Sequence, residues 1–224
     1  MKIGIIGAGI VGQTLGAALA GKGHDLRLGV RVVSEDELDK PRNQAETLRA
    51  WTARTGVEVT PFAAAAAHGE VIINATGGGV AIEALTLAGA ENLAGKVLID
   101  VSNPLDFSTG TLTSLPHLTN TTSVGEEVQK AFPQARVVKS LNTAWIGVGV
   151  NPALVQGEID VFVAGNDEAA KETVTTILKR DFGWATVVDL GDIGAARGTE
   201  QFLTLWFRLY QRIGNGAFGI KVVR

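Results

Sequence analysis

The sequence predicts an α/β fold in which a doubly wound parallel sheet carries helices on both faces, and two observations lead there. Short apolar runs alternate with helix-patterned stretches along nearly all of the 224 residues, an order that buries a parallel sheet between two layers of helices. The chain also opens on "KIGIIGAGIVG", where an apolar run meets Gly7, Gly9 and Gly12 in G-x-G-x-x-G spacing. Between a strand and a helix, that spacing marks the first turn of a dinucleotide-binding unit. The expected fold is therefore of the Rossmann type, with a small α/β extension at its C-terminal end.

Ile3, Ile5 and Ile6 make the first strand, Gln13 to Lys22 an Ala- and Leu-rich helix, and Asp25 to Val30 the second strand. Each glycine then has its own task. Gly7 allows the tight turn, Gly9 lets backbone approach a pyrophosphate, and Gly12 permits close packing of the helix. Phosphates are expected on the helix N-terminus, where free N–H groups and the macrodipole favour anions. Gly7, Ala8, Gly9, Ile10, Val11 and Gly12 are thus the first candidate cofactor residues. NAD sites usually place an acid after the second strand to hold the ribose hydroxyls. This chain has Arg31 there, and a guanidinium grips a 2′-phosphate bidentately. Arg31, with Ser34 in the same loop, is expected to favour NADP(H), against the pull of Glu35, Asp36 and Glu37 close behind.

Further along, Arg42 to Arg54 reads as a helix, Val57 to Thr60 as a strand and Pro61 to His68 as an Ala-rich helix. Val71 to Ala75 is a strand that delivers Thr76-Gly77-Gly78-Gly79 to the carboxyl edge of the sheet, before a helix from Val80 to Ala88. Lys96 to Val101 is another, ending in Ser102-Asn103-Pro104-Leu105. Ligands of open α/β sheets bind at such loops, which makes Thr76, Gly77, Asn103 and Pro104 candidates. Pro104 to Asn120 reads as loop. Thr122 to Phe132 is a helix, and Arg136 to Leu141 a strand running into Asn142-Thr143-Ala144-Trp145. A strand at Ile159 to Ala164, a helix at Asp167 to Asp181, a strand at Thr186 to Asp189 and a helix at Ile193 to Ile213 complete the pattern. The expected division is a nucleotide-binding domain over 1–139 and a small C-terminal part over 140–224, packed on it without a linker.

Composition narrows the function. Hydrophobic residues at 46% and charged residues at 19% describe a globular protein, and a net charge of −3 without a basic block points away from nucleic-acid and anionic-membrane partners. No segment resembles a signal peptide, and no uncharged apolar run approaches the roughly 18 residues that span a bilayer. A soluble, cytoplasmic protein is expected. The absence of cysteine excludes disulfides, thiol nucleophiles and cysteine-ligated metals. His24, His68 and His117 are scattered without ligand spacing, read as surface or loop residues, and leave no metal site expected.

The strings "IGIIGAGIVG", "LGVR", "NATGGG", "DVSNP", "VVKSLNT", "DVFVAGND", "RGTE" and "GIKVV" together resemble the NADP oxidoreductase family that acts on the deazaflavin coenzyme F-420 (F420). Relatives of that family include the reductase domains of STEAP metalloreductases. The resemblance spans nearly the whole chain. It implies that Arg31 binds the NADP phosphate and that Thr76, Gly77, Asn103 and Pro104 line the nicotinamide side, with Asn142 and Thr143 nearby. It implies a second substrate with a flat ring, F-420, FMN or FAD. The chain departs from the family at Val30, where a Ser is frequent, and at Val32 to Glu35, which offer none of the basic residues that often follow the arginine.

Hydride transfer between nicotinamide and such a ring needs positioning more than proton transfer. Consistent with this, Tyr210 is the only tyrosine and has no Lys four residues later. Lys139 reads as an edge-strand lysine, and no catalytic acid or base is assigned. Trp145, Trp184, Trp206 and Phe207 are expected to pack rather than bind. Leu203, Trp206, Phe207 and Tyr210 recur at i, i+3, i+4 and i+7, an apolar helix face assigned to packing or a homodimer surface. Arg197 and Glu200, at i, i+3, are expected to pair. Three functions stand: an NADPH-dependent flavin or deazaflavin reductase, a dehydrogenase or imine reductase of a small carbonyl or imine, and a non-enzymatic NADP sensor.

Overall fold

Branched apolar runs without polar interruption set the central strands, because a strand buried on both faces has no solvent side to mark. The computed structural model of the protein describes residues 1–106 and 113–223. Its strands are β1 (Lys2–Ile6), β2 (Asp25–Val30), β3 (Glu58–Pro61), β4 (Val71–Asn74), β5 (Val97–Asp100), β6 (Leu105–Asp106), β7 (Thr113–Ser114), β8 (Arg136–Ser140), β9 (Asp160–Gly165) and β10 (Thr186–Asp189). Eight of them form one sheet in the order β10-β9-β8-β5-β4-β1-β2-β3. β6 and β7 make a small separate hairpin inside the stretch expected as loop, of which residues 107–112 lie outside the described residues.

The helices are α1 (Ile10–Ala20), α2 (Glu35–Asp39), α3 (Leu48–Thr55), α4 (Phe62–His68), α5 (Ala81–Ala88), α6 (Ala90–Leu93), α7 (Val124–Ala131), α8 (Ile146–Val150), α9 (Glu168–Arg180) and α10 (Ala196–Ile213). Alternate strand residues feed two cores, as a period of two requires. Ile3, Ile5, Val71, Ile73, Val97 and Ile99 pack with Leu15 and Leu19 of α1, Trp51 of α3 and Ile177 of α9. Ile6, Ile72, Leu98 and Val137 face the other way, onto Phe62 of α4, Leu85 of α5 and Val128 of α7. The sheet is doubly wound, and the Rossmann-type expectation holds.

Three expectations give way to local chemistry. Helix α1 begins at Ile10 rather than Gln13, because Gly9 itself takes the extended N-cap conformation. The helix expected over Arg42 to Arg54 forms only from Leu48, capped by Thr47, whose hydroxyl accepts from the amide of Ala50; upstream, Gln44 sits at φ +56°, outside the helical region. A turn of helix, α2, was not expected, and Ser34 caps it by accepting from the amide of Glu37.

Strand β9 is reversed. It pairs antiparallel with β8, Ser140 opposite Val163, whereas the other strand neighbours in the large sheet are parallel. A parallel return needs a crossover the length of the sheet, and α8, with five residues, spans only about 7.5 Å. The chain therefore re-enters beside the end of β8. Among the described residues no helix is long and apolar enough to cross a membrane.

The aromatic residues pack largely as expected. Trp184 is buried and donates to the carbonyl of Gly149 at 2.8 Å. Trp206 on α10 stacks on Tyr210 and on Phe218 of the C-terminal segment, each at a 5.2 Å centroid separation. His24 lies in the loop before β2, as one of its two readings had it, but not at the surface: its side chain is 5% exposed and bonds Asp181 at 3.1 Å, tying the start of β2 to the end of α9.

Candidate functional site

The glycine turn joins β1 to α1 at the carboxyl edge of the sheet, and its backbone explains each glycine. Gly7 has φ +110°, a conformation that L side chains avoid. A methyl group on Gly12 would stand 1.9 Å from the carbonyl oxygen of Gly7, so the helix can approach the turn only without one. A methyl on Gly9 would meet nothing within 4 Å. Gly9 therefore faces open space at the start of α1, whose first amides have no helical partner. The buried Gln13 braces the turn, its amide donating to the carbonyls of Ala8 at 3.2 Å and Glu46 at 2.9 Å. Ile10 and Val11 are half-buried behind it.

Arg31 follows β2 and is exposed. Of the three acids expected to compete for it, Glu35 is turned to Arg49 and Glu37 to Arg42. The carboxylate that reaches Arg31 is instead Glu83 on α5, at 2.8 Å. Ser34 lies in the same loop, its hydroxyl occupied by the amide of Glu37 at 3.1 Å.

The remaining candidates arrive from β4, β5 and β8, the three successive strands on one side of β1. Gly77 is exposed and Thr76 and Asn103 are half-buried, while Pro104, Asn142 and Thr143 are buried. Asn142 and Asn103 bond each other: the Asn103 amide donates to the Asn142 carbonyl at 2.9 Å and the Asn142 amide to Asn103 Oδ1 at 3.1 Å. Leu141, just before them, is held at φ +61°, a left-handed conformation that a leucine keeps only where its surroundings impose it. An apolar cavity of about 220 Å³ borders Thr143, walled by Phe162, Leu190, Phe202 and Ile220. A wider groove of about 670 Å³ lies on the outer side of α1, along Gln13, Thr14 and Trp51, and touches the glycine turn only at Ile10.

Beneath this edge runs a buried polar chain. The Thr76 hydroxyl donates to Asn74 Oδ1 at 2.7 Å, and the Asn74 amide donates to Asp100 Oδ1 at 2.8 Å. Lys139 Nζ lies 2.8 Å from Asp100 and 2.8 Å from Glu200. Glu200 in turn accepts from the amides of Val124 and Gly125 at the start of α7, at 2.8 and 3.1 Å. Asp100, Lys139 and Glu200 are each 1% exposed or less.

Two expectations fall here. Lys139 is no edge residue, since β8 lies between β5 and β9, and its ammonium answers two carboxylates. Arg197 and Glu200 do not pair: Arg197 bonds Glu126, because Glu200 points inward to Lys139. Burial pushes the Glu200 carboxyl above its usual range, outweighing the opposing pull of Lys139. Burial opposes the Lys139 charge, but the two carboxylates hold its pKa above the ordinary value.

Comparison with known proteins decides the family. The family described as NADP oxidoreductase, coenzyme F420-dependent, matches residues 2–104. A solved structure of a candidate F420-dependent NADP-reductase from Arthrobacter sp. FB24 is 44% identical, with a TM-score of 0.92 and 100% of each chain covered. The chain belongs to this family of NADP-dependent oxidoreductases. Metalloreductase STEAP3 of Rattus norvegicus is 30% identical over 201 residues, 89% of this chain and 36% of that longer protein. The chain thus spans about a third of the length of the curated relatives it matches. An imine reductase of Streptomyces aurantiacus, 19% identical with a TM-score of 0.64 over 95% of this chain and 64% of its own, shares the fold.

The residues expected to bind cofactor gather at one edge of the sheet, and sequence reasoning missed the residues that brace that edge. Asn74, Asp100, Lys139 and Glu200 stand inside the strings that carry the resemblance, and Gln13 just past the glycine turn, but no spacing rule joins them to one another. Only the placement of two charged residues, Asp100 and Lys139, at the ends of otherwise apolar strands hinted at a buried pair.

Proposed function

We propose that the protein is an NADPH-dependent reductase of a flavin or deazaflavin acceptor, and one contrast carries the reading. The side chains that β4, β5 and β8 bring to the edge, Thr76, Asn103, Asn142 and Thr143, are neutral. The charged groups beneath them, Asp100, Lys139 and Glu200, are sealed from the edge and paired with one another. Reduction of a carbonyl or imine requires a proton delivered in step with the hydride, and these groups are not placed to deliver one. Transfer to a flat ring requires chiefly that two rings be held at close approach.

The residues fit a dinucleotide. The open space at Gly9 and the free amides of α1 suit a pyrophosphate, and Arg31, with no acid following β2 directly, suits a 2′-phosphate. When bound, NADPH supplies the hydride. Thr76, Gly77, Asn103 and Pro104 line the nicotinamide side. Asn142 holds Asn103 in place, and Thr143 leads to the apolar walls of Phe162 and Phe202, which suit the flat ring of an acceptor such as F-420, FMN or FAD.

Arg31 gives the first test. Arg31→Ala is expected to weaken NADPH about ten- to a hundredfold, the usual worth of a charge-assisted hydrogen bond, and to change NADH far less. Equal losses for both nucleotides in binding titrations would remove Arg31 from the phosphate site.

A further inference from the structure

The geometry points to Glu83 as a second determinant of nucleotide choice, one that acts against the phosphate; this rests on the reading of Arg31 as the phosphate ligand. Arg31 follows β2 and Glu83 lies in the first turn of α5, beyond the Thr76-Gly77 loop of β4. Strands β2 and β4 flank β1, so the 2.8 Å bridge of Arg31 to Glu83 joins the loop after β2 to the start of α5, one on either side of the glycine turn. The side chains are 59% and 54% exposed. They are free to part, because an exposed pair of this kind is weak.

A dinucleotide with a free 2′-hydroxyl leaves the bridge intact. One with a 2′-phosphate must draw Arg31 away from Glu83 and then sets a dianion beside the abandoned carboxylate. Both effects disfavour NADPH alone. Glu83 therefore narrows the preference that Arg31 creates, and it stands on α5, where a search for an acid after the second strand does not find it.

The experiment titrates NADPH and NADH into the full chain, as wild type, Glu83→Gln, Arg31→Ala and the double variant. Glu83→Gln is expected to tighten NADPH about three- to tenfold, as removal of one exposed like charge and one weak competitor implies. NADH should move less than about twofold, and the gain should shrink in about 0.5 M salt, where screening is short-ranged. Loss of a carboxylate that only supported the N-terminus of α5 would affect both nucleotides alike, so a common shift, or no tightening of NADPH, overturns the proposal. If Arg31→Ala is selective for NADPH and Glu83→Gln is not, only the role of Glu83 fails. If neither variant alters the ratio, the Arg31 reading fails with it.

Discussion

Replacing Lys139 with methionine is expected to cost the fold about 3–5 kcal/mol, the usual penalty for removing one partner of a buried ion pair, and to lower the melting temperature by roughly 6–20 °C. The chain length suits this substitution, but Asp100 and Glu200 would be left without a cation, each 1% exposed or less. The loss should depend on pH, with a definite sign. A buried carboxyl whose folded pKa lies above its unfolded value holds a proton that the unfolded chain has released. Its contribution is fully present below the unfolded value and is lost as pH rises through the folded one. Glu200 already lies above its ordinary 4.5 with Lys139 present, and without the ammonium it must rise further. The deficit of Lys139→Met relative to wild type should therefore be small below about pH 4.5 and deepen toward pH 8. Thermal melts across that range check it. A deficit of equal size at every pH would mean that lost packing, not stranded charge, is the cause.

Gly9→Val is expected to abolish tight nucleotide binding while sparing the fold. The backbone at Gly9 is extended, φ −77° and ψ −170°, a region valine favours, and its Cβ would meet nothing within 4 Å. The side chain fills only the space assigned to the pyrophosphate, so NADPH affinity should fall about a hundredfold or more, as two lost charge-assisted bonds imply. The melting temperature should hardly change. Gly12→Ala is the contrast: its methyl would press on the Gly7 carbonyl at 1.9 Å, and stability and binding should fall together. Calorimetric titration beside thermal melts separates the two, and a folded Gly9→Val with unchanged affinity would remove the turn from the site.

The residues explain why one part of this design was legible and another was not. Apolar strands, the glycine turn and Arg31 are local signals, and each was readable because its cause lies within a few residues. The reversal of β9 depends on α8 being too short to cross the sheet, a property of the whole connection between β8 and β9. The triad of Asp100, Lys139 and Glu200 joins β5, β8 and α10, separated by 39 residues at Asp100 and Lys139. No spacing rule reaches that far, and the helical i, i+3 rule pointed Glu200 to the wrong partner. Glu83 escaped for the same reason, since it meets Arg31 across β1.

Hydride transfer to a ring can be followed through the fate of the transferred atom. NADPH carrying deuterium on the transferred face is mixed with the protein and oxidised F-420, and the products are examined by mass spectrometry. The reduced deazaflavin is expected to retain the deuterium on its ring carbon. With FMN or FAD the receiving nitrogen exchanges with water, and the deuterium is read as a slowed rate instead. Failure of all three rings to oxidise NADPH, while a small imine or carbonyl does so and takes up the label, would rule out ring-to-ring transfer.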